Sequence, residues 1–233
     1  MTDTIKMPNH VSKHTVSITG KSAAEVVYYK AMSFNDKDTI ESQLRAGVTQ
    51  SASTGNIKVF FTNAVADSVA DAETAHYLDD TAHDTLVQYI NHAEESIDFA
   101  IYHLTNIGGP SIVQALNEAH SRGVEVRMIV CGSQDNPPLE DLNKAIHVLE
   151  RPWDGTGIMH NKFVVFDAAH SNPDKAHVWT GSMNFTYNNV KEDANNIVIV
   201  QDQSLAKAFE LEFEEMWGAK GATPDETKAL FGE

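Results

Sequence analysis

The sequence predicts a layered α/β fold, a sheet covered by helices. Strand-like and helix-like segments alternate from residue 57 onward, and the strand segments are continuously apolar, not alternating. The helical segments between them carry apolar residues at helical spacing and bear start and stop signals.

The elements follow in order. "IKVFF" (57–61) reads as the first strand. Residues 74–93 place Tyr77, Leu78, Leu86, Tyr89 and Ile90 at roughly helical spacing. "SIDFAIY" (96–102) is a strand. "GPSIVQALNEAHSRG" (109–123) has Pro110 near its start and Gly123 at its end, as a helix should. "VEVRMIVC" (124–131) is another strand, and "PLEDLNKA" (138–145) a short helix. The strands "KFVVFD" (162–167), "HVWTGSM" (177–183) and "NNIVIV" (195–200) come next. Residues 204–218 close the series with Leu205, Ala208, Phe209, Leu211, Phe213 and Met216 in helical register. Residues 1–56 are Ser/Thr/Asn-rich; "HTVSITG" suits a short strand and "AAEVVYYKAM" a short strand or helix. They read as an N-terminal extension or subunit-contact element. The division is 1–56 extension, 57–219 main domain and 220–233 tail, with "TPDETKALFGE" resembling a capped short helix.

Composition narrows the function. With 233 residues and 42% hydrophobic content the chain can bury a core. No run of about 18 apolar residues exists, so no membrane-spanning helix is expected. The start has no apolar signal core, and a soluble cytoplasmic protein is expected. Cys131 is the sole cysteine, which excludes an internal disulfide and cysteine-based zinc sites; at the end of an apolar run it reads as a buried thiol. Net charge is −16, from 17 Lys+Arg against 33 Asp+Glu. That balance repels polyanions at long range, although a local basic groove can survive it.

The chemistry concentrates in two stretches. "HNKFVVFD" places His160 and Lys162 two apart at a strand entrance, so both project to one face, with Asn161, Phe163 and Val165 opposite. Asp167 also faces away in a regular strand. "TGSMNFT" repeats the spacing with Ser182 and Asn184, and Gly157 and Gly181 lie beside the two pairs. His, Lys, Ser and Asn converging without clustered carboxylates suit an anion. Lysine supplies positive charge, asparagine uncharged donors, and histidine either a nucleophile or a proton donor near neutral pH. This inventory fits phosphoryl transfer through a covalent histidine intermediate, with no metal and no cofactor. His76, His83, His92 and His103, with Asp79 and Asp80, lack a standard ligand spacing and read as solvated residues.

With H-x-K-x4-D in "HNKFVVFD" and G-S-x-N in "GSMNFT", the sequence resembles the phospholipase D superfamily over about residues 57–218. The resemblance implies a mixed, mostly parallel β-sheet flanked by helices on both faces. It implies His160 as the nucleophile, or as the twin that protonates the leaving alcohol. Lys162 and Asn184 would hold non-bridging phosphate oxygens, with Ser182 beside them and Gly181 supporting. Asp167 completes the catalytic signature, in an orienting or structural part. Two departures stand out. The stretch between Asp167 and Gly181 is long, as if a hairpin loop were inserted. Many members orient the histidine with a carboxylate in the downstream strand, where this chain has Asn195; Glu192 or Asp193 serves only if the register slips. Active sites of the family use two H-x-K motifs, and this chain has one. A homodimer with the site at its two-fold axis is the simplest completion. A different motif-bearing chain, or an inactive half-site kept for binding, are the alternatives. The implied activity is that of a phosphodiesterase, with nucleic acid as the favoured substrate and phospholipid head groups second. A non-catalytic scaffold is the reading outside catalysis.

Overall fold

The computed structural model describes residues 4–5, 15–34, 37–64, 66–69, 71, 75–153, 155 and 157–231. Twelve strands and four α-helices occur among them. The strands are β1 (Val26–Tyr29), β2 (Met32–Phe34), β3 (Thr39–Glu41), β4 (Arg45–Val48), β5 (Asn56–Phe61), β6 (His76–Tyr77), β7 (Ser96–Ile101), β8 (Glu125–Cys131), β9 (His147–Arg151), β10 (Lys162–Phe166), β11 (His177–Gly181) and β12 (Asn196–Gln201). The helices are α1 (Ala82–His92), α2 (Gly109–Ser121), α3 (Tyr187–Lys191) and α4 (Gln203–Trp217).

Eight strands form one mixed sheet in the order β6-β5-β12-β11-β10-β7-β8-β9. The expected parallel majority is not found. β10 runs antiparallel to β7 and β11, and β12 antiparallel to β11 and β5. Only β5–β6, β7–β8 and β8–β9 are parallel. The reason lies in the connections. A parallel pair needs a crossover of a dozen or more residues, usually through a helix. Between β7 and β8, α2 supplies it, but the short link 167–176 joins β10 to β11 and forces a hairpin-like return.

Helices cover both faces, as the apolar strands require. Val164 and Phe166 of β10, with Phe99, Ile101, Met128 and Val130, pack against Leu86 and Ile90 of α1 and Ile112 and Leu116 of α2. The alternate residues, Phe163 and Val165 with Ala100, Ile129 and Val178, meet Ala206, Phe213, Met216 and Trp217 of α4. Each large apolar side chain fully buried this way contributes roughly 1.5–3 kcal/mol. Helix α4 begins at Asp202, whose carboxylate accepts from the Leu205 N–H at 2.7 Å, and ends at Gly218 in the left-handed region.

Sequence and structure differ at several margins. The helix expected over 74–93 begins at Ala82, with a 3₁₀ turn before it; Thr74 lies outside the described residues. "PLEDLNKA" gives only a 3₁₀ turn over Pro137–Asp141, β6 falls inside the expected helix, and no sequence pattern marks β3, β4, β9 or α3. Thr15–Gly20 form no strand, and His14 of that stretch is outside the described residues. "AAEVVYYKAM" resolves to strand, not helix. In the tail, the described part of "TPDETKALFGE" forms no helix. The Asp225 carboxylate turns back to the Thr227 N–H and hydroxyl, an Asx-type turn that competes with helix. That tail packs on α4, with the Leu230 N–H bonded to the Glu215 carbonyl at 3.0 Å. The described part of the N-terminal extension also docks on α4. Lys207 Nζ reaches the Ala24 carbonyl at 2.8 Å, and the Ser204 hydroxyl reaches the Thr49 carbonyl at 2.5 Å.

Candidate functional site

The site lies at one end of the large sheet, where β7 and β11 finish and β10 and β12 begin. Register fixes this. Lys162, first residue of β10, pairs with Ile101, last of β7, and Phe163 pairs with Thr180 of β11. Gly181 pairs with Ile197 near the start of β12. The chain leaving β11 is then stitched to the chain leaving β7. The Phe185 N–H donates to the His103 carbonyl, and the Thr105 N–H to the Phe185 carbonyl. Residues 102–105, 160–162 and 182–185 are thereby gathered at one sheet end.

His160 stands just outside β10 and is exposed, while Lys162 is 7% exposed. Both meet the ring of Tyr102. The His160 ring lies 4.7 Å from it, centroid to centroid and inclined at 67°, and Lys162 Nζ sits 5.3 Å from its centroid. Contacts of these types are each worth about 0.5–1.5 kcal/mol. Lys162 Nζ also donates to the His160 backbone carbonyl at 2.9 Å. Asn161, on the opposite side of the strand, turns to the Met216 sulfur. Burial pushes the Lys162 ammonium down to about 8. Burial, then the neighbouring Lys162 charge, lowers the His160 imidazole below the ordinary histidine value. Both causes favour the neutral imidazole, whose nitrogen lone pair is available. Its ring makes no hydrogen bond among the described residues.

Gly181, at φ +152°, ends β11 because nothing larger fits: a Cβ there would lie 2.1 Å from the Asn196 carbonyl oxygen. This close approach turns the chain into Ser182–Asn184. Asn184 is 9% exposed, and its backbone N–H donates to Asn189 Oδ1 at 2.7 Å. Its own Oδ1 is buried without a hydrogen-bond partner. Leaving a buried polar atom unpaired costs about 1–3 kcal/mol. A half-turn of the amide would aim its N–H donors into the same place. As placed, the amide offers an acceptor to whatever approaches; turned over, it offers two donors.

Asn195 does not contact His160. Its Oδ1 accepts from the Ser182 hydroxyl at 2.8 Å, its Nδ2 donates to the Asn189 carbonyl at 3.0 Å, and its backbone N–H donates to Thr62 Oγ1 at 2.8 Å. Asp193 is no substitute, because its carboxylate accepts from Asn189 Nδ2 at 2.7 Å; Glu192 is exposed. Asp167 lies just past the opposite end of β10. Its carboxylate accepts the N–H groups of Glu94, Glu95 and Ser96 at 2.7–3.2 Å, and its φ is +53°. It locks the turn from α1 into β7 and is not brought together with His160 and Lys162. Gly157 is exposed, and its carbonyl accepts from Arg151 Nη1.

Two contributors escaped the sequence reading. Tyr102 follows an apolar strand and looks like its last residue; only the register against Lys162 gives it a role. Asn189 sits in a helix of five residues too short to show a period. The four other histidines weighed as ligands stay dispersed: His76 on Phe60, His83 on Asp84, His92 on the Gln88 carbonyl and His103 on the Asp135 carbonyl. Among the described residues no group of three or more His, Cys, Asp and Glu is placed to hold a metal. Cys131 is buried, with its sulfur 3.2 Å from the Ser133 hydroxyl. Among the described residues no helix is long and apolar enough to cross a membrane.

Residues 86–217, more than half of the chain, match the family model described as "Cardiolipin synthase, PLD-like domain". Curated relatives include a "Mitochondrial cardiolipin hydrolase" from Xenopus tropicalis, 31% identical over 59% of this chain and 62% of its own length. A "Phospholipase D" from Rickettsia conorii is 33% identical over 53% of this chain and 58% of its own. The chain therefore spans roughly six-tenths of these relatives' lengths. Among solved structures, the phospholipase D family member Nuc from Salmonella typhimurium superposes with a TM-score of 0.51 at 22% identity, over 73% of this chain and 99% of that one. NucT from Helicobacter pylori gives 0.52 at 20%, over 70% and 95%. These likenesses bear on the fold.

Proposed function

The chain belongs to the phospholipase D superfamily, and from that membership we propose that it hydrolyses phosphodiesters through a phosphohistidine formed on His160, without a metal. One observation carries the reading. An imidazole lowered toward its neutral form and a buried ammonium share one ring, with no carboxylate of the described residues bonded to either. A cationic, carboxylate-free pair at an open strand end suits a diester anion.

In this reading the His160 imidazole attacks phosphorus, and an N–P bond forms as the P–O bond to the leaving alcohol breaks. A second histidine donates the proton that the alcohol takes. Deprotonated by that histidine, water then attacks phosphorus, which releases the phosphate monoester and restores His160. Lys162 and Asn184 hold the non-bridging oxygens. Lys162 exchanges its bond to the His160 carbonyl for the substrate, and Asn184, its amide turned over, donates from Nδ2 to a second oxygen. The second histidine comes from another copy across a two-fold axis, the simplest completion of a single motif.

For the substrate we take a nucleic-acid strand. His160 and Ser182 are exposed at the sheet's end, where a polymer can cross. The phospholipid reading is favoured by a different observation. Two relatives over 30% identical are named for cardiolipin and phospholipid hydrolysis, and exposed Trp153 and Ile158 precede His160. Chelator-treated protein assayed on single-stranded DNA, RNA, duplex DNA and phospholipid vesicles separates them. Cleavage of single strands with intact lipid supports the first. Head-group release with intact nucleic acid replaces it by the second, and no diester cleavage on any substrate rejects both.

A further inference from the structure

We propose that Tyr102 is the residue that positions His160 and Lys162 for this reaction. The inference rests on the phosphohistidine reading and supplies what the site otherwise lacks. An imidazole that attacks phosphorus must hold its ring plane, or the nitrogen lone pair sweeps past the target. In this chain neither Asn195 nor Asp193 reaches the ring: the first is committed to Ser182 and Asn189, the second to Asn189. Among the described residues no hydrogen bond or ion pair orients the His160 side chain, and its ring contact is with Tyr102, at 4.7 Å and 67°.

The same tyrosine ring faces Lys162 Nζ at 5.3 Å. One rigid side chain therefore sets the separation of nucleophile and phosphate-binding cation. Tyr102 is itself fixed. It follows Ile101, which pairs with Lys162, and precedes His103, whose carbonyl accepts from the Phe185 N–H. Its body packs beside the core under α4. Any shift of Tyr102 moves both partners together. The ring, not the hydroxyl, makes these contacts.

The test uses the full chain and bis(4-nitrophenyl) phosphate, a minimal diester with no remote binding groups. Tyr102→Leu should keep the thermal midpoint near that of the parent and lower kcat by about 10- to 100-fold with KM changed less than about threefold, as expected of lost orientation. Tyr102→Phe should stay within about threefold of the parent, because it keeps the ring. Parent-like kcat in Tyr102→Leu overturns the proposal, and so does a Tyr102→Phe variant as impaired as Tyr102→Leu. Should the leucine variant not fold, NMR of the parent decides: cross-peaks between the Tyr102 and His160 rings support the proposal, and their absence overturns it. His160→Ala separates the two levels. Parent-like turnover in His160→Ala sinks the phosphohistidine reading itself; an inactive His160→Ala beside a parent-like Tyr102→Leu sinks only the role of Tyr102.

Discussion

At the scale of single residues, the site depends on groups that are costly to place. Lys162 is buried, and its ammonium titrates at about 8 where an exposed lysine would hold its proton past 10. The charge that binds phosphate is therefore lost as pH rises through about 8, and kcat/KM should fall there. Bound diester stabilises the ammonium, so kcat should persist to higher pH than kcat/KM. A basic limb of kcat/KM that begins only above about pH 10 would show that Lys162 is not the group that matters. His160→Ala should abolish turnover and leave the fold intact, because the side chain is exposed and fills no core volume. Lys162→Ala and Asn184→Ala should each cost about two orders of magnitude or more in kcat, as lost transition-state donors do. Full activity in either variant, measured on folded protein, would remove that residue from the mechanism.

At the scale of elements, the sheet's end does the assembling, and Asp167 shows how differently two parts of one motif serve. Asp167 gathers three backbone N–H groups at the far end of β10, away from Lys162. Asp167→Ala should therefore destabilise the fold by about 2–4 kcal/mol through unpaired buried donors, while kcat per folded molecule stays near that of the parent. Denaturant unfolding with active-site titration checks this, and a kcat loss at unchanged stability would make Asp167 catalytic. The H-x-K pair and the strand that follows it were legible because a period of two fixes faces, whereas Asp167 is set apart by the length of β10, at whose far end it is buried. The end of β11 was legible for the same reason, with Gly181 as a marker. What stayed hidden depended on pairing across the sheet. No local pattern places Tyr102 against Lys162, or commits Asn195 to Ser182 in place of His160. Strand direction was hidden too, because an apolar run has the same composition in parallel and antiparallel neighbours; only connection length separates them. Asn195→Asp follows from the observed contacts. The new carboxylate would still accept from Ser182, so the acid limb of the pH–rate profile should not move. A limb displaced upward would place residue 195 against an imidazole in the working assembly.

At the scale of the whole molecule, one histidine motif and a net charge of −16 pull toward the same arrangement. Two copies meeting at a two-fold axis would supply attacking base and proton-donating acid. They would also concentrate two Lys162 charges in one cleft of an otherwise acidic surface. The two imidazoles would then titrate as a coupled pair, one neutral and one charged at the working pH. Mixing the parent with excess His160→Ala should silence parent chains as they exchange into mixed dimers. Activity that follows the amount of parent chain after complete exchange would mean that each subunit works alone, or that its partner is a different protein.

A covalent bond from phosphorus to His160 distinguishes this mechanism from every other, and rapid quenching of turnover detects it. Chelator-treated protein mixed with a diester labelled at phosphorus should be quenched in base, where phosphohistidine survives and phosphoserine ester does not, and then digested and mapped. Acid-labile label should appear on the peptide that carries His160 and be absent from His160→Ala. Turnover with no label on that peptide, or label only after a divalent metal is restored, would contradict the mechanism.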